Sequence, residues 1–111
     1  MNLIEADPRE AIGACWQSVN AAVNAAGARH LPHFHSSSAE TGARELAGKG
    51  ILDPSLVRAT RALYQAWIQA RAFPDQVTSE MARGYAETAH ATVVTIQSQA
   101  EHYEPPEKKK K

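Results

Sequence analysis

The sequence predicts an all-α fold, a four-helix up-down bundle of three long helices and one short one. Three observations carry this. Apolar residues recur at spacings of three and four in four separate segments, period-2 alternation of β-branched residues is nearly absent, and alanine is abundant. Three of the segments are long enough to pack against one another through short connections. The 111 residues fit a single domain, expected at residues 1–100, followed by a disordered Pro/Lys-rich tail at 101–111.

The first helix is expected to open at Asp7-Pro8-Arg9-Glu10. Asp7 is the candidate N-cap, Pro8 suits the first helical position, and Glu10 stands three residues after the cap. Its stripe is Ile12, Cys15, Trp16, Val19, Val23 and Ala26, with Gly27 as the expected stop. Residues 28–38 hold His30, Pro32, His33, His35 and the serines Ser36 to Ser38, and read as a loop. A short second helix follows from about Ser37 to Ala47. Ser37 and Glu40 have capping-box spacing, and Gly48-Lys49-Gly50 ends it.

In the third helix Asp53 caps and Pro54 follows. Its stripe is Leu56, Val57, Thr60, Leu63, Tyr64, Trp67 and Ile68, and Pro74 forbids continuation past about Ala72. The fourth helix has Thr78 as N-cap and Glu80 in its first turn, where the helix dipole favours an acid. Its stripe is Met81, Tyr85, Ala89, Thr92, Val93 and Ile96. Past Gln99 the chain turns polar, and Glu104-Pro105-Pro106-Glu107 with four lysines is expected to be disordered.

The formal charge is zero, with 12 basic against 12 acidic residues. Four of the basic residues are Lys108 to Lys111, so residues 1–107 carry a net charge of −4. An acidic body lacks the basic face with which a duplex-DNA binder releases counterions. The lysine run is read as a non-specific polycation. One cysteine, Cys15, excludes an internal disulfide and a cysteine-based zinc cluster, and a cytoplasmic location is expected. No apolar run approaches the ~20 residues of a membrane span. No signal peptide is expected either, since Glu5, Asp7, Arg9 and Glu10 interrupt the opening segment.

From Leu46 to Tyr85 a series of local signals comes in a familiar order. It runs Leu46-Ala47-Gly48-Lys49-Gly50-Ile51-Leu52-Asp53-Pro54, a helix, Val77-Thr78-Ser79-Glu80-Met81-Ala82, then Tyr85. With Pro8 to Ile12 and Trp16 ahead of it, the series resembles the small bacterial branch of the HEPN superfamily over roughly residues 7–97. The resemblance implies a helical domain that pairs through its third helix. In ribonuclease members it also implies an Arg-Asn-x-x-x-His motif near the end of that helix. There the Arg and His meet across a dimer and assist attack of a ribose 2′-hydroxyl on its phosphate, the His as acid or base and the Arg on the phosphorane. The matching register is Tyr64-Gln65-Ala66-Trp67-Ile68-Gln69, with Tyr64 in place of the Arg, Gln65 of the Asn and Gln69 of the His. None of these groups titrates near neutral pH or carries positive charge, so the resemblance implies that metal-independent ribonuclease chemistry is lost. Asn20 replaces the acid that often follows the Trp in the family's first helix.

Other residues carry chemistry only on weaker grounds. His30, His33 and His35 form the densest group of metal-ligating side chains, yet their spacing fits no structural zinc motif, and a polar histidine loop is the plainer reading. Arg83 and His90 lie seven residues apart on the fourth helix and share a face. As a ribonuclease pair they would sit on the wrong helix for the family motif. Trp16, Tyr64, Trp67 and Tyr85 could stack bases, but aromatics at helical spacing are more often core. Leu63, Tyr64, Trp67 and Ile68 cover a wider arc than one packing seam needs, which makes them the candidate interface. Arg58, Arg61 and Arg71 give the same helix a cationic side.

The expected function is a non-catalytic HEPN-like interaction module that dimerises or binds a protein partner, in a defence or toxin–antitoxin setting. Two alternatives stand beside it. One is a metal-independent ribonuclease using Arg83 and His90 or the histidine loop. The other is a small phage or plasmid protein that inhibits a host nucleic-acid-binding complex, for which an acidic body is suited. No cofactor is expected, and RNA is the weaker of the partner classes.

Overall fold

A computed structural model of the chain describes residues 8–104. Among these described residues are four α-helices: α1 (Pro8–His30), α2 (Ala39–Gly48), α3 (Ser55–Ala72) and α4 (Ser79–His102), with a 3₁₀ turn at Pro74–Gln76. Among the described residues there is no strand. The fold is all-α, as the periodicity implies.

The helix ends follow from local chemistry. Thr78 caps α4, its hydroxyl accepting from the Met81 amide at 3.1 Å. Asp53 opens α3: its carboxylate accepts from the Ser55 amide at 2.8 Å and its carbonyl from the Leu56 amide at 3.0 Å. The hydrogen bonds from Ser55 hold the Asp53 carboxyl below its ordinary range. α3 stops at Ala72, two residues before Pro74.

Three boundaries differ from expectation. The cap of α2 is Ser38, not Ser37: its hydroxyl accepts from the Thr41 amide at 3.3 Å. α1 does not stop at Gly27 but runs on to His30. Gly27 is buried in the last turn of α1, with the ring of Phe34 lying where a Cβ would stand. α4 runs to His102, so Glu101 and His102 belong to the helical body, not to a tail. Asp7 and Lys108 to Lys111 lie outside the described residues.

The most extensive helix–helix contact is between α1 and α4. The C-terminal ends of these two helices meet, with the His30 ring 2.6 Å from the Ala100 carbonyl. Near their N-terminal ends, Ile12 and Tyr85 line one cleft. α1 and α4 therefore run parallel, whereas strict up-down alternation would oppose them. α3 runs against both, with Trp16 beside Trp67 and the Tyr85 hydroxyl on the Leu63 carbonyl. The departure arises at residues 31–38. That connection folds back along α1, placing Phe34 on Gly27, Ser36 on Asn24 and Ala39 on Asn20. α2 then departs in the direction of α1, with Gly42 beside Val23.

One continuous core joins all four helices. Leu46, Ile96, Val19, Val23 and Thr60 are its largest fully enclosed side chains. The Thr60 hydroxyl is satisfied by the Val57 carbonyl at 2.9 Å. Removing an aliphatic side chain of this kind from water is worth about 1.5–3 kcal/mol.

Two glycines should respond oppositely to alanine. At Gly42 a Cβ would stand 2.6 Å from Cγ1 of Val23 and 2.9 Å from Cβ of Ser36, and Val23 is fully enclosed. Overpacking of this kind costs about 1–3 kcal/mol, against about 1 kcal/mol gained in helix propensity. Nothing lies within 4 Å of a Cβ at Gly84. Gly42→Ala is expected to lower the thermal midpoint and Gly84→Ala to raise it. A rise for both would mean that the α1–α2 contact is looser than described.

Tyr85 joins α4 to α3. It is 7% exposed, and its hydroxyl donates to the Leu63 carbonyl at 2.9 Å. Burial, reinforced by the neighbouring Cys15, pushes the phenol far above its ordinary value of 10.0. The folded chain thus keeps this proton at a pH where the unfolded chain releases it. The resulting stability is complete below pH 10.0 and is lost as pH rises beyond it. Tyr85→Phe is expected to cost about 0.5–1.5 kcal/mol at neutral pH. It should also remove part of the alkaline fall in unfolding free energy, and identical alkaline limbs for the two proteins would refute the assignment.

Candidate functional site

The feature best fitted to recognition is an aromatic cluster between α1 and α3. Trp16 is 3% exposed and anchors it. Trp67 stacks on Trp16, with ring centroids 5.8 Å apart and planes 21° from parallel. Tyr64 leans on both, 5.5 Å from Trp16 and 5.9 Å from Trp67. Each aromatic contact adds about 0.5–1.5 kcal/mol beyond area burial. The Arg71 guanidinium lies 4.9 Å from the Trp67 ring centre. At Gly13, on the facing turn of α1, a Cβ would come only to 3.9 Å from Trp67 Nε1, so α1 crosses without pressing on the ring.

The outer edge of this cluster reaches solvent. Tyr64 is 38% and Ile68 39% exposed. The spacing of Arg61, Tyr64, Ile68 and Arg71 puts all four on one face of α3. α3 contains Arg58, Arg61 and Arg71 and no acid. Arg61 Nε lies 3.5 Å from Glu40 Oε1, while Glu40 Oε2 binds Arg44 at 2.8 Å. Both arginines are mostly exposed, so each pair contributes a few tenths of a kcal/mol. Because rings held against a buried partner lose little freedom on binding, the Tyr64–Ile68 edge is preorganised.

The other expected residues are placed differently. Leu63 is 3% exposed and belongs to the core, so of the four interface candidates it alone is not on the face. Gln65 is exposed. Gln69 lines a cleft of about 140 Å³ with Ile12, Phe73, Val77, Met81 and Tyr85. Among the described residues lining that cleft the only titratable group is the Tyr85 phenol, already bonded to Leu63.

Arg83 and His90 are both exposed, and no hydrogen bond or ion pair joins them. His90 borders a groove with Cys15, Ser18 and Val93, which Arg83 does not line. Burial raises the Cys15 thiol, which disfavours the reactive thiolate.

The histidine loop is dispersed. The His30 ring turns to the Ala100 carbonyl and packs edge-on against Tyr103 at 4.9 Å. His33 and His35 are exposed, His33 with a φ of 62°. Among the described residues no group of three or more His, Cys, Asp or Glu is arranged to hold a metal.

The roles of two α1 asparagines are not apparent from the sequence. Asn20 Oδ1 accepts from the Ala39 amide at 2.7 Å, and Asn24 Oδ1 from the Ser36 amide at 2.8 Å. Together they hold residues 31–38 and the first turn of α2 against α1. Asn20 thus satisfies the first amide of a neighbouring helix. The only signal was two poor helix formers four apart. Among the described residues no helix is long and apolar enough to cross a membrane. No protein-family model, curated protein or solved structure matches the chain.

Proposed function

We propose that this chain is a non-catalytic, HEPN-like interaction module that docks a protein through the Tyr64–Trp67–Ile68 face of α3. One observation carries the reading: a half-exposed aromatic edge braced from behind by the buried Trp16. Aromatic anchors on a rigid backing are the groups that dominate protein interfaces. The positions that would hold the ribonuclease Arg and His are Tyr64 and Gln69, and neither is an arginine or a histidine. A place in a defence or toxin–antitoxin assembly follows from the family resemblance.

A photo-crosslinking residue placed at Ile68 tests this in the native cell, with Val94 as control. Val94 is also an exposed apolar residue, 47% accessible, but it lies on α4. Adducts to a defined protein are expected from position 68 and not from position 94. Equal yields from both positions would defeat the reading. So would metal-free cleavage of mixed RNA that His90→Ala abolishes.

A further inference from the structure

The charge on α3 says what kind of protein fits the face. Arg61 and Arg71 bracket Tyr64 and Ile68 at relative positions 0, 3, 7 and 10 of one stripe. A two-fold contact between copies is self-complementary, so each residue must suit its symmetry partner. In an antiparallel pairing of two α3 helices centred on this stripe, Tyr64 meets Ile68 of the second copy, while Arg61 meets Arg71. A parallel pairing sets each arginine against itself. In both cases the apolar groups match and the charges repel. α3 has no acid to offset them, and Glu40 is already shared between Arg44 and Arg61. Among the described residues Arg61 therefore has one shared carboxylate and Arg71 has none, so a two-fold contact would enclose more positive than negative charge, which is costly.

Stacked nucleobases fit no better. Trp67 is stacked on Trp16 and has the Arg71 guanidinium 4.9 Å from its ring centre, and Tyr64 leans on both tryptophans, so neither ring stands free as a platform for a base. Ile68 offers no stacking plane.

We infer that the face takes an acidic amphipathic helix from a different protein. That helix carries two carboxylates ten residues apart, with two apolar side chains between them. This rests on the reading of the α3 face as a protein-docking surface. The apolar pair packs on Tyr64 and Ile68, while the carboxylates meet Arg61 and Arg71 at either end. Charge sets the register and the choice of partner more than the total affinity.

A hydrocarbon-stapled alanine-based peptide bearing Glu-x2-Leu-x3-Leu-x2-Glu is the probe, with a twin carrying Lys in place of both Glu. Amide shifts in ¹⁵N spectra report the site, and tryptophan fluorescence reports the affinity. The acidic peptide is expected to shift the amides of residues 61–71 and to bind on the order of 10-fold tighter than the lysine twin at low salt, with the gap closing as salt rises. The double variant Arg61→Glu/Arg71→Glu, both positions being exposed, is expected to reverse that preference. Equal binding of the two peptides, or failure of the double variant to reverse the order, overturns the proposal. A dimer in sedimentation that Ile68→Ala dissociates, with no peptide binding, overturns the acidic partner but leaves the docking surface standing. A monomer that binds neither peptide removes both.

Discussion

Trp16→Ala is expected to destabilise the chain by about 3–5 kcal/mol, the range found when a buried aromatic is truncated in a core that cannot collapse around the void. The size follows from position. Trp16 is 3% exposed and contacts two further rings, so its removal loses both the apolar transfer and two aromatic pairs. A small domain has only about 5–15 kcal/mol in total. The urea midpoint should therefore fall steeply with little change in the slope of the transition. Tyr64→Ala is the informative contrast. It is 38% exposed and should cost far less stability while removing the edge proposed for docking. Binding of the acidic peptide should be lost in both variants, but folding is gravely weakened only in Trp16→Ala. A loss under 1 kcal/mol for Trp16→Ala would mean that the cluster is not braced from inside.

The second large effect lies at Asn20 and Asn24. Asn20→Leu leaves the Ala39 amide unpaired in a residue that is 1% exposed, and Asn24→Leu does the same to Ser36, which is 9% exposed. An unpaired buried donor costs about 1–3 kcal/mol. The two sites share one segment, so their costs should not add. Asn20→Asp separates a capping role from a packing role. The carboxylate still accepts from Ala39 and brings negative charge to the N-terminus of α2, where it is favoured by about 0.3–1 kcal/mol. Asn20→Asp is expected to match or exceed the parent in stability, with Asn20→Leu well below it. Amide exchange at Ala39 and Ser36 reads the bonds directly, and slow exchange in Asn20→Leu would show that the cap is dispensable.

The helices were legible wherever a local rule decides them. Thr78 caps α4 and Pro74 bounds α3, because a hydroxyl accepting from one orphan amide and a missing N–H are local facts. The end of α1 was not legible. A glycine is a common helix stop, but Gly27 serves as a socket for Phe34, and that contact exists only once the connection folds back. The same fold-back decides helix direction, and the bonds behind it, from Asn20 and Asn24, join residues 19 and 12 positions apart. On α3, the wide arc takes in Tyr64 and Ile68, which reach solvent, together with Leu63, which is 3% exposed. Spacing along one helix cannot separate them, because the burial of Leu63 depends on what the rest of the fold lays over it. The histidines stood close in sequence, but the pull of α4 on His30 parts them in space.

The parallel course of α1 and α4 also fixes how the body is wired into anything joined to it. Pro8 and His102 lie at opposite ends, separated by the rise of a 24-residue helix, about 36 Å. A polypeptide fused ahead of α1 and another fused after α4 would be held apart by that length, with the α3 face open between them. A circularly permuted version would need a joining segment of at least about 11 extended residues to span the same distance. The α3 face proposed for docking would then lie along the side of that span.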